Sequence, residues 1–407
     1  MQDKPQNAKL PLSGIRVLDV ASFIAAPVAA TILADYGADV IKVEPTKDGD
    51  PNRTMRFNAS YPNHDVNYPW HLDSRGKRSL AIDLKNPTAR AAFDAVLASA
   101  DVLITNYPVA VRKRLSLDYE TVARGHPQLI YAAFTGYGET GPDADQMGFD
   151  ITAYFARSGI LDGARYDDDY PAVAMPAQGD RSAGVGLALA VMMALWNRQQ
   201  TGTGTLVTTS LLANGLWANA NFAQAALLGA EMPKRPPPDR PRNAVSNVYR
   251  TRDDRWLQLT LVREERDWPT LCAAVEGPEL ERDPRFETLQ LRRQNATELA
   301  AIIKEIIAGR DMAHWHGCFK RHNLAFAVIN RAQDLPGDAQ VMASGAVIDT
   351  VNPDMPRTIA APFALADVTL PPPGSAPELG QHSEAILREA GIGDELIAKL
   401  KAEAAIV

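Results

Sequence analysis

The sequence predicts an α/β protein built on a parallel sheet, together with a second and smaller α+β domain. Three observations support this prediction. Apolar runs rich in β-branched residues alternate with segments of helical spacing through the first half of the chain. The length of 407 residues exceeds the size at which a single core keeps growing, so two domains are expected. The proline-rich stretch EMPKRPPPDRPRN (231–243) then separates the first half from the rest.

The chain begins its regular structure with a strand, a helix and a second strand. GIRVLDV (14–20) has the pattern of a buried strand, PVAATILADYGA (27–38) has helical spacing, and DVIKVEP (39–45) again has the pattern of a buried strand. Such a unit implies a parallel sheet with a right-handed crossover. The turn ASFIAAP between the first strand and the helix lacks a G-x-G-x-x-G motif, so neither a nicotinamide nor a flavin is predicted.

The same alternation continues to about residue 137. The predicted elements are the strand 79–84, a helix from Pro87 to about Ser99, the strand 101–107, a short helix near Tyr119 to Gly125 and the strand 129–137. In such sheets the ligand-binding residues lie at the carboxyl ends of the strands. We therefore expect Ser22 to Ala25, Asn106 with Tyr107, and Thr135 to Tyr137 to gather along one crevice.

A long apolar helix within residues 178–204 follows a shorter helix predicted near Asp150 to Ser158. Asp180 lies at the start of the long helix, where a carboxylate faces the positive end of the helix dipole and is favoured in its ionised form. Locally this pattern is compatible with an ordinary acidic helix cap and with a nucleophile. A short strand, LVTTS (206–210), and a helix to about Gly229 complete this part of the chain.

Beyond the proline-rich stretch the pattern is that of a small α+β domain. Two short strands within 246–262, helices at about 267–275 and 296–308 and the strand 325–330 are predicted there. The C-terminal segment is helical with a Gly-Ile-Gly break. We place the large domain at 1–230 completed by 376–407, a linker at 231–245, the small domain at 246–333 and a return linker at 334–375.

Composition excludes several classes of function. A net charge of −7 argues against nucleic acid or an anionic membrane as the main partner. The two cysteines exclude a disulfide framework, and the polar N-terminus has no apolar signal segment, so a cytoplasmic enzyme or binding protein is expected. The basic clusters SRGKRS (74–79) and VRKRLS (111–116) are compatible with a solvated surface and with a groove for a ligand carrying several phosphates.

Metal binding is not predicted. The segment DMAHWHGCFKRH places three histidines and one cysteine within nine residues, namely His314, His316, Cys318 and His322. A spacing of two residues on a helix directs side chains to different faces, so these groups are not expected to share an ion. The chain also lacks a G-x-S-x-G nucleophile elbow and a Walker phosphate loop.

Several segments together resemble one known family, the class III CoA-transferases, which includes formyl-CoA and carnitine CoA-transferases and, as a close branch, the α-methylacyl-CoA racemases. The segments that carry the resemblance are GIRVLDVASFIAAPVAATILADYGADVIKVEP, RGKRSLAIDL, ADVLITNYPVAVRKRL, LIYAAFTGYGETGP, QGDRSAGVGLALAVMMALWNRQQTGTG and LGQHSEAILREAGI. They span almost the whole chain in order. The resemblance implies a Rossmann-like large domain, a small α+β domain and an interlocked, ring-shaped homodimer.

The resemblance also implies a mechanism and a set of site residues. Asp180 would attack an acyl-CoA, and CoA would pass to a small carboxylic acid through aspartyl anhydride and aspartyl-CoA thioester intermediates, with no metal. A dicarboxylic acid is our first expectation for the acid. The residues implied for coenzyme A are Ser22, Phe23 and Ala25 at the pantetheine and thioester, Arg75, Lys77 and Arg114 at the ADP phosphates, and Asn106 and Tyr137 elsewhere on the cofactor.

Three features depart from the family pattern. Ile24 stands where the formyl-CoA enzyme has a glutamine, and PRNAVSNVYR (241–250) has no counterpart of its glycine-rich flap, so formate and oxalate are not expected substrates. Phe149 stands where racemases have a histidine, and a phenyl ring cannot carry the α-proton. The sequence therefore predicts a transferase. The alternatives are an α-methylacyl-CoA racemase or epimerase and a non-catalytic CoA-binding partner subunit.

Overall fold

The protein forms two compact units, each with its own hydrophobic core, in a computed structural model that describes residues 9–167, 169–172 and 174–407. The first unit takes in the chain up to Asp162, Ala172–Met232 and Ser344–Val407. The second unit takes in Gly163–Pro171 and Pro233–Ala343. The first unit is thus discontinuous in sequence.

A six-stranded sheet with the strand order β3-β2-β1-β4-β5-β6 forms the centre of the first unit. All five neighbouring pairs are parallel. The strands are β1 Arg16–Val20, β2 Asp39–Glu44, β3 Arg78–Ala81, β4 Val102–Thr105, β5 Ile130–Thr135 and β6 Leu206–Ser210. This order is that of the Rossmann fold, and it confirms the predicted parallel α/β architecture. The strand order reverses at β1 and β4, and ligands of such sheets bind at the carboxyl ends of the strands beside this point.

Helices cover both faces of the sheet, because successive side chains of a buried strand point to opposite sides. The helices of this region are α1 Ala25–Asp35, α2 Tyr68–Ser74, α3 Pro87–Ala98, α4 Val109–Arg114, α5 Tyr119–Gly125, α6 Ile160–Ala164, α7 Gln178–Thr201, α8 Leu211–Ala218 and α9 Ala220–Leu227. On one face, Val17 packs with residues of α1 and α7. On the other, its neighbour Leu18 packs with residues of α3.

Helices α1 and α7 approach each other closely at Gly184. A Cβ atom at this position would lie 2.7 Å from the carbonyl oxygen of Ala25 and 2.9 Å from Cγ1 of Val28. A larger residue would force the helices apart, so glycine sets this separation. The contact fixes the first turns of α7 against the start of α1.

Some elements differ from those predicted. Helices α2 and α4 lie in segments for which no helix was predicted. The helix expected to reach Gly229 is divided at Asn219, and the one near Asp150 is a π-helical turn, Asp150–Ala156. These are short elements, for which neighbouring packing outweighs local propensity.

The second unit contains a three-stranded antiparallel sheet in the order β7-β8-β9. Its strands are β7 Val248–Arg250, β8 Trp256–Leu259 and β9 Phe326–Val328. Its helices are α10 Glu264–Ala274, α11 Leu289–Gln294, α12 Ala296–Ala308, α13 Met312–Arg321 and α14 Ala339–Ala343. Its core includes Trp268, Trp315 and Phe319.

The C-terminal segment returns to the first unit. It contains an antiparallel pair, β10 Val347–Asp349 with β11 Arg357–Ile359, and the helices α15 Ser383–Glu389 and α16 Asp394–Ala402. The hydroxyl of Ser383 accepts a hydrogen bond from the backbone N–H of Ala81 in β3, and the backbone N–H of Val407 donates to the Ala81 carbonyl. In the part of the chain that the structure describes, no helix is both long and apolar enough to cross a membrane.

Candidate active site

The segment that joins β1 to α1, Ala21–Ile24, is referred to below as the first loop. Asn106, just beyond β4, accepts a hydrogen bond from the backbone N–H of Ser22 at 2.8 Å and donates one to the Ser22 carbonyl at 2.7 Å. The two segments predicted to meet at the sheet edge therefore do meet. Because one amide satisfies both backbone groups of Ser22, the conformation of the first loop depends on Asn106.

Phe23 has left-handed backbone geometry, with φ of +63°, which is costly for a residue with a side chain. Its backbone N–H donates to Oδ1 of Asp50 at 2.9 Å. Its ring is 37% exposed, which is unusual for phenylalanine beside a buried sheet. The first loop thus holds an aromatic ring at the carboxyl edge of β1.

A buried network of charges lies beneath the first loop. The Lys42 ammonium lies 2.6 Å from Asp50 and 3.5 Å from Asp19, and it also donates to the Ala21 carbonyl. Lys77 donates to Asp19 at 2.8 Å. Burial alone would raise the pKa of the Asp19 carboxyl, but the two ammonium groups hold that pKa below its usual value. The network fixes Asp50 and, through it, Phe23.

Two of the cations predicted to meet phosphates lie inside the protein. Arg75 is 5% exposed and pairs with Asp35 at 2.6 Å, and Lys77 is 3% exposed and bonded as described above. A buried cation requires a partner at hydrogen-bond distance, and here protein carboxylates and carbonyls supply it. Arg75 and Lys77 therefore stabilise the fold, and their contact with phosphates stays a prediction of the resemblance.

Asp180 is the third residue of α7, and its side chain does not cap the helix. The N-cap is Ala177, with φ of +69° and no side-chain cap bond, so the cap interpretation is wrong. Asp180 lies one helical turn before Gly184, and residues four apart share a face of a helix. Since Gly184 contacts Ala25, helical periodicity places Asp180 on the side of α7 that faces the start of α1. Within the described residues, no side-chain hydrogen bond or ion pair engages it.

Burial raises the pKa of Asp180 to about 7, with the nearby carboxylates of Asp150 and Asp73 adding to the shift and Arg181 opposing it. We expected the helix N-terminus to keep this carboxylate ionised, and the surroundings oppose that effect. The surroundings of Asp180 stabilise its charged form only weakly. Carboxylates that react in enzymes typically have such surroundings.

Asp150 is a second buried carboxylate beside the start of α7. Its Oδ1 accepts from the backbone N–H of Ile151 at 2.8 Å, and its Oδ2 has no hydrogen-bond partner among the described residues. Burial raises its pKa, although the backbone N–H groups of Ala177 and Gly179 act in the opposite direction. The two carboxylates Asp150 and Asp180 are therefore neighbours at one helix terminus.

Phe149 and Tyr137 complete the wall around this helix terminus. The rings of Phe149 and Phe23 meet edge to face, with centroids 5.8 Å apart. Tyr137 packs so tightly on Gly148 that a Cβ atom there would lie 2.9 Å from its ring. Residues following β1, β4 and β5 thus lie at one edge of the sheet.

A cavity of about 260 Å³ opens at the carboxyl ends of β2 and β3. Its lining includes the exposed lysines Lys47 and Lys85, the ring of Tyr107 and the apolar side chains of Ile82 and Leu115. Arg114, also exposed, directly precedes Leu115. The lining also contains two carboxylates, Glu44, which pairs with Arg53, and Asp83. The ring and the two lysines are the groups suited to a planar ligand that carries phosphate.

Residues 12–383 match the profile of CoA-transferase family III. The chain belongs to this family. It is 29% identical to (R)-2-hydroxy-4-methylpentanoate CoA-transferase of Clostridioides difficile over 96% of this chain and 98% of that protein. It is 30% identical to cinnamoyl-CoA:phenyllactate CoA-transferase of Clostridium sporogenes over 96% of this chain and 95% of that protein. A solved CAIB/BAIF family protein of Brucella suis superposes with a TM-score of 0.83 at 28% identity, over 94% of this chain and 100% of that one. The protein is thus a CoA-transferase.

The candidate site also includes three buried carboxylates for which no role was predicted, namely Asp50, Asp73 and Asp150. Asp73 is buried and accepts two hydrogen bonds at 3.0 Å from Arg181, the residue next to Asp180. Asp150 directly follows Phe149, so its position beside a discriminating residue was an available signal. Asp73 gave no such signal, because Arg181 lies 108 positions away in the sequence. Asp50 lies in a loop after β2, and nothing in its local sequence indicates its bond to Phe23.

Proposed function

We propose that this CoA-transferase moves CoA from an acyl-CoA to a carboxylic acid with Asp180 as its nucleophile. The observation that supports this proposal best is the position of Asp180: a partly buried carboxylate in the first turn of α7, on the side facing the start of α1. Such a carboxylate is poorly stabilised where it stands, and it lies where a thioester carbonyl could approach.

The proposed reaction exchanges one activated acyl bond for another. A carboxylate oxygen of Asp180 attacks the thioester carbonyl, and the C–S bond breaks to give an aspartyl anhydride and CoA thiolate. The thiolate attacks the aspartyl carbonyl, which releases the first acid and leaves an aspartyl-CoA thioester. The acceptor carboxylate then attacks that thioester to form a second anhydride and free thiolate. Attack of the thiolate on the acceptor acyl carbon yields the new acyl-CoA and restores Asp180.

Each attack places negative charge on a carbonyl oxygen, so the site must supply hydrogen-bond donors. Unpaired backbone N–H groups are available in the first turn of any α-helix, and α7 begins beside the reacting carboxylate. In this proposal the paired rings of Phe23 and Phe149 would keep water from the anhydride.

Coenzyme A would lie along the carboxyl edge of the sheet. In our proposal its adenine nucleotide occupies the cavity beside β2 and β3, with Tyr107 against the base and Lys47, Lys85 and Arg114 near the phosphates. The pantetheine would then pass Asn106 and the first loop, and the thioester would reach Asp180. Ser22, Phe23, Ala25, Asn106 and Tyr137 keep the cofactor-binding roles expected from the sequence.

The exposed aromatic pair favours an apolar group on at least one of the exchanged acids. Phe23 and Phe149 offer ring faces and edges but no charge to a second carboxylate. A dicarboxylic acid is the alternative. A panel of aryl, branched aliphatic and dicarboxylic donors and acceptors, with the CoA esters followed by mass spectrometry, distinguishes these two classes.

An interlocked homodimer is also part of the proposal. The exposed faces of α7, α8 and α9 carry large apolar side chains, and apolar patches of this kind mark contact surfaces. These side chains are Leu189, Met192, Met193, Trp196, Leu216, Trp217 and Phe222. Native mass spectrometry would show a dimer that persists under dilution. A cytoplasmic location remains a prediction of the sequence.

Asp180→Ala tests the reaction. We expect the rate of CoA transfer to fall at least about 10³-fold, because the nucleophile is lost. Asp394→Asn is the matched control, since it changes an acidic residue in the first turn of a different helix, α16. Hydroxylamine added with the acyl-CoA should label Asp180 of the wild-type protein, which mass spectrometry detects. A folded Asp180→Ala variant with wild-type transfer would overturn the proposal.

The purified wild-type chain also distinguishes the proposed function from two alternatives, a racemase and a non-catalytic partner subunit. A racemase would exchange the α-proton of an acyl-CoA with D₂O, and Phe149 removes the histidine expected for that step. A non-catalytic partner subunit would bind CoA without turnover when assayed alone. Transfer by the purified chain, without α-deuteration, supports the proposed function over both.

A further inference from the structure

Helix α13 carries four potential metal ligands, and the structure separates them into distinct environments. His316 packs edge to face on Phe326 at 5.5 Å between ring centroids. His322 bonds through Nδ1 to the Cys318 carbonyl at 2.9 Å. These two histidines therefore do not converge on the cysteine thiol. His314 and Cys318 are four residues apart and share one face of the helix.

A third ligand reaches this face from another helix. Glu276, just after α10, places Oε1 3.1 Å from Nε2 of His314, and Sγ of Cys318 lies 3.5 Å from the same nitrogen. The three ligand atoms all lie within 4.8 Å of one another. Cys318 is buried, whereas His314 and Glu276 are partly open to solvent.

The separations of 3.1 Å and 3.5 Å from Nε2 of His314 lie close to the edges of a tetrahedral coordination site. With metal–nitrogen and metal–oxygen bonds of about 2.0–2.2 Å and a metal–sulfur bond of about 2.3 Å, adjacent ligand atoms lie about 3.3–3.6 Å apart. A hydrogen-bonded relay from carboxylate to thiol would use both ring nitrogens of the histidine. Here the carboxylate and the sulfur both approach Nε2, which favours a shared ion over a relay.

We propose that Glu276, His314 and Cys318 form a binding site for a zinc-type divalent metal, with solvent as the fourth ligand. Thiolate and carboxylate together neutralise the charge of the ion, and the thiol proton is released on binding. The guanidinium of Arg321 lies 3.1 Å from Sγ of Cys318 and would donate to the bound thiolate as an outer hydrogen bond. The ion would tie the end of α10 to α13 within the second unit.

This site is independent of the proposed transfer reaction. Its residues belong to the second unit, whereas Asp180 and its neighbours belong to the first. The spacing of two residues between His314 and His316 does not indicate such a site, and Glu276 lies on another element. The signal available in the sequence was the spacing of four residues between His314 and Cys318.

Cobalt titration of the full-length protein, after removal of metals with a chelator, tests the proposal. We expect one equivalent of Co²⁺ to produce the charge-transfer absorption of a thiolate ligand and the visible bands of a tetrahedral site, and Zn²⁺ to displace it. Cys318→Ser should abolish the charge-transfer band. His314→Ala and Glu276→Gln should each weaken Co²⁺ binding at least about ten-fold.

Cys272→Ser and His316→Ala are the matched controls, since each changes a cysteine or histidine of the same unit outside the cluster. Both should bind Co²⁺ as the wild type does. Glu276→Gln changes an exposed side chain, so its loss of binding cannot be attributed to misfolding. Absence of the band in the wild type, or its persistence in Cys318→Ser, would overturn the proposal.

Discussion

The ring of Phe149 meets the ring of Phe23 edge to face, with centroids 5.8 Å apart. Phe149 belongs to the segment that leads to Asp150, and Phe23 belongs to the strained first loop. A residue that cannot titrate thus stands where the resemblance to racemases places a histidine, and in the proposed reaction its ring would face the acyl group.

Replacing Phe149 should alter substrate use without unfolding the protein. Phe149→Ala removes a partly exposed ring, and we expect kcat/KM for aryl acyl-CoA substrates to fall about 2- to 10-fold. Phe149→Tyr keeps the ring and should stay close to wild type. Steady-state kinetics with an aryl and a short aliphatic donor measure the effect. An equal loss for both donors would show that Phe149 does not contact the acyl group.

The rate of transfer should depend on pH through Asp180. Its pKa is raised to about 7, so the nucleophilic carboxylate is depleted below that pH and kcat/KM should fall as the solution becomes more acidic. Asp150→Asn removes a neighbouring negative charge, which lowers the pKa of Asp180. The fall of kcat/KM in acidic solution should therefore occur at a lower pH in this variant. Profiles of kcat/KM from pH 5 to pH 9 (about the usable range) test both statements. If kcat/KM of Asp150→Asn fell at the same acidic pH as that of the wild type, this electrostatic coupling would be contradicted.

The raised pKa of Asp180 also makes the free energy of unfolding depend on pH. Between pH 4 and pH 7 (roughly) the folded protein binds more protons at Asp180 than the unfolded chain does, so this group lowers the free energy of unfolding as pH rises. Asp180→Asn should therefore raise the free energy of unfolding at pH 8, by about 1–3 kcal/mol, with little effect near pH 4. Urea unfolding at the two pH values provides the measurement, and equal effects at both would contradict the assignment.

Lys42 should be essential to folding although it does not face the crevice. Lys42→Met leaves the buried carboxylates of Asp19 and Asp50 without their shared partner, and we expect a loss of about 3–5 kcal/mol in the free energy of unfolding. Lys47→Met, which removes an exposed lysine, should change that quantity by less than about 0.5 kcal/mol. Urea denaturation of both variants compares them. If Lys42→Met changed the free energy of unfolding as little as Lys47→Met, the buried network of charges would contribute little to stability.

The closeness of α1 and α7 can be tested at Gly184. Gly184→Ala places a methyl group against the Ala25 carbonyl and Val28, and the overpacking should outweigh the gain in helix propensity by about 1–2 kcal/mol. Gly163→Ala is the matched control, since a methyl group on this residue of α6 meets no atom within 4 Å among the described residues. Thermal unfolding should show a lower melting temperature for the first variant only.

Much of the fold was predictable because its signals are local. The strand, helix and strand from Arg16 to Glu44 bury nearly continuous apolar runs, which is the pattern of a parallel sheet covered on both faces. The gathering of Ser22 and Asn106 followed from the rule that parallel strands end at the same edge. The predicted role of Asp180 as a nucleophile rested on the whole-chain resemblance, because its local sequence is equally compatible with a helix cap.

The partners of the buried cations were not predictable from local sequence. Arg75 pairs with Asp35 and Lys77 with Asp19, at separations of 40 and 58 positions, so the sequence shows a basic cluster but not the carboxylates that face it. The raised pKa of Asp180 has the same origin. It depends on burial and on Asp73 and Asp150, which only the folded chain brings near.

The bonds between Ala81 and the C-terminal segment have a consequence for the timing of biosynthesis. The partner of the Ala81 N–H, Ser383, is 302 positions further along the chain. At about 5–20 residues per second, a ribosome needs roughly 15–60 s to produce that distance. During this interval β3 has β2 on one side and nothing on the other, and an open strand edge invites pairing with other chains. The second unit can complete its own contacts in that time, so the first unit begins to fold first and finishes last.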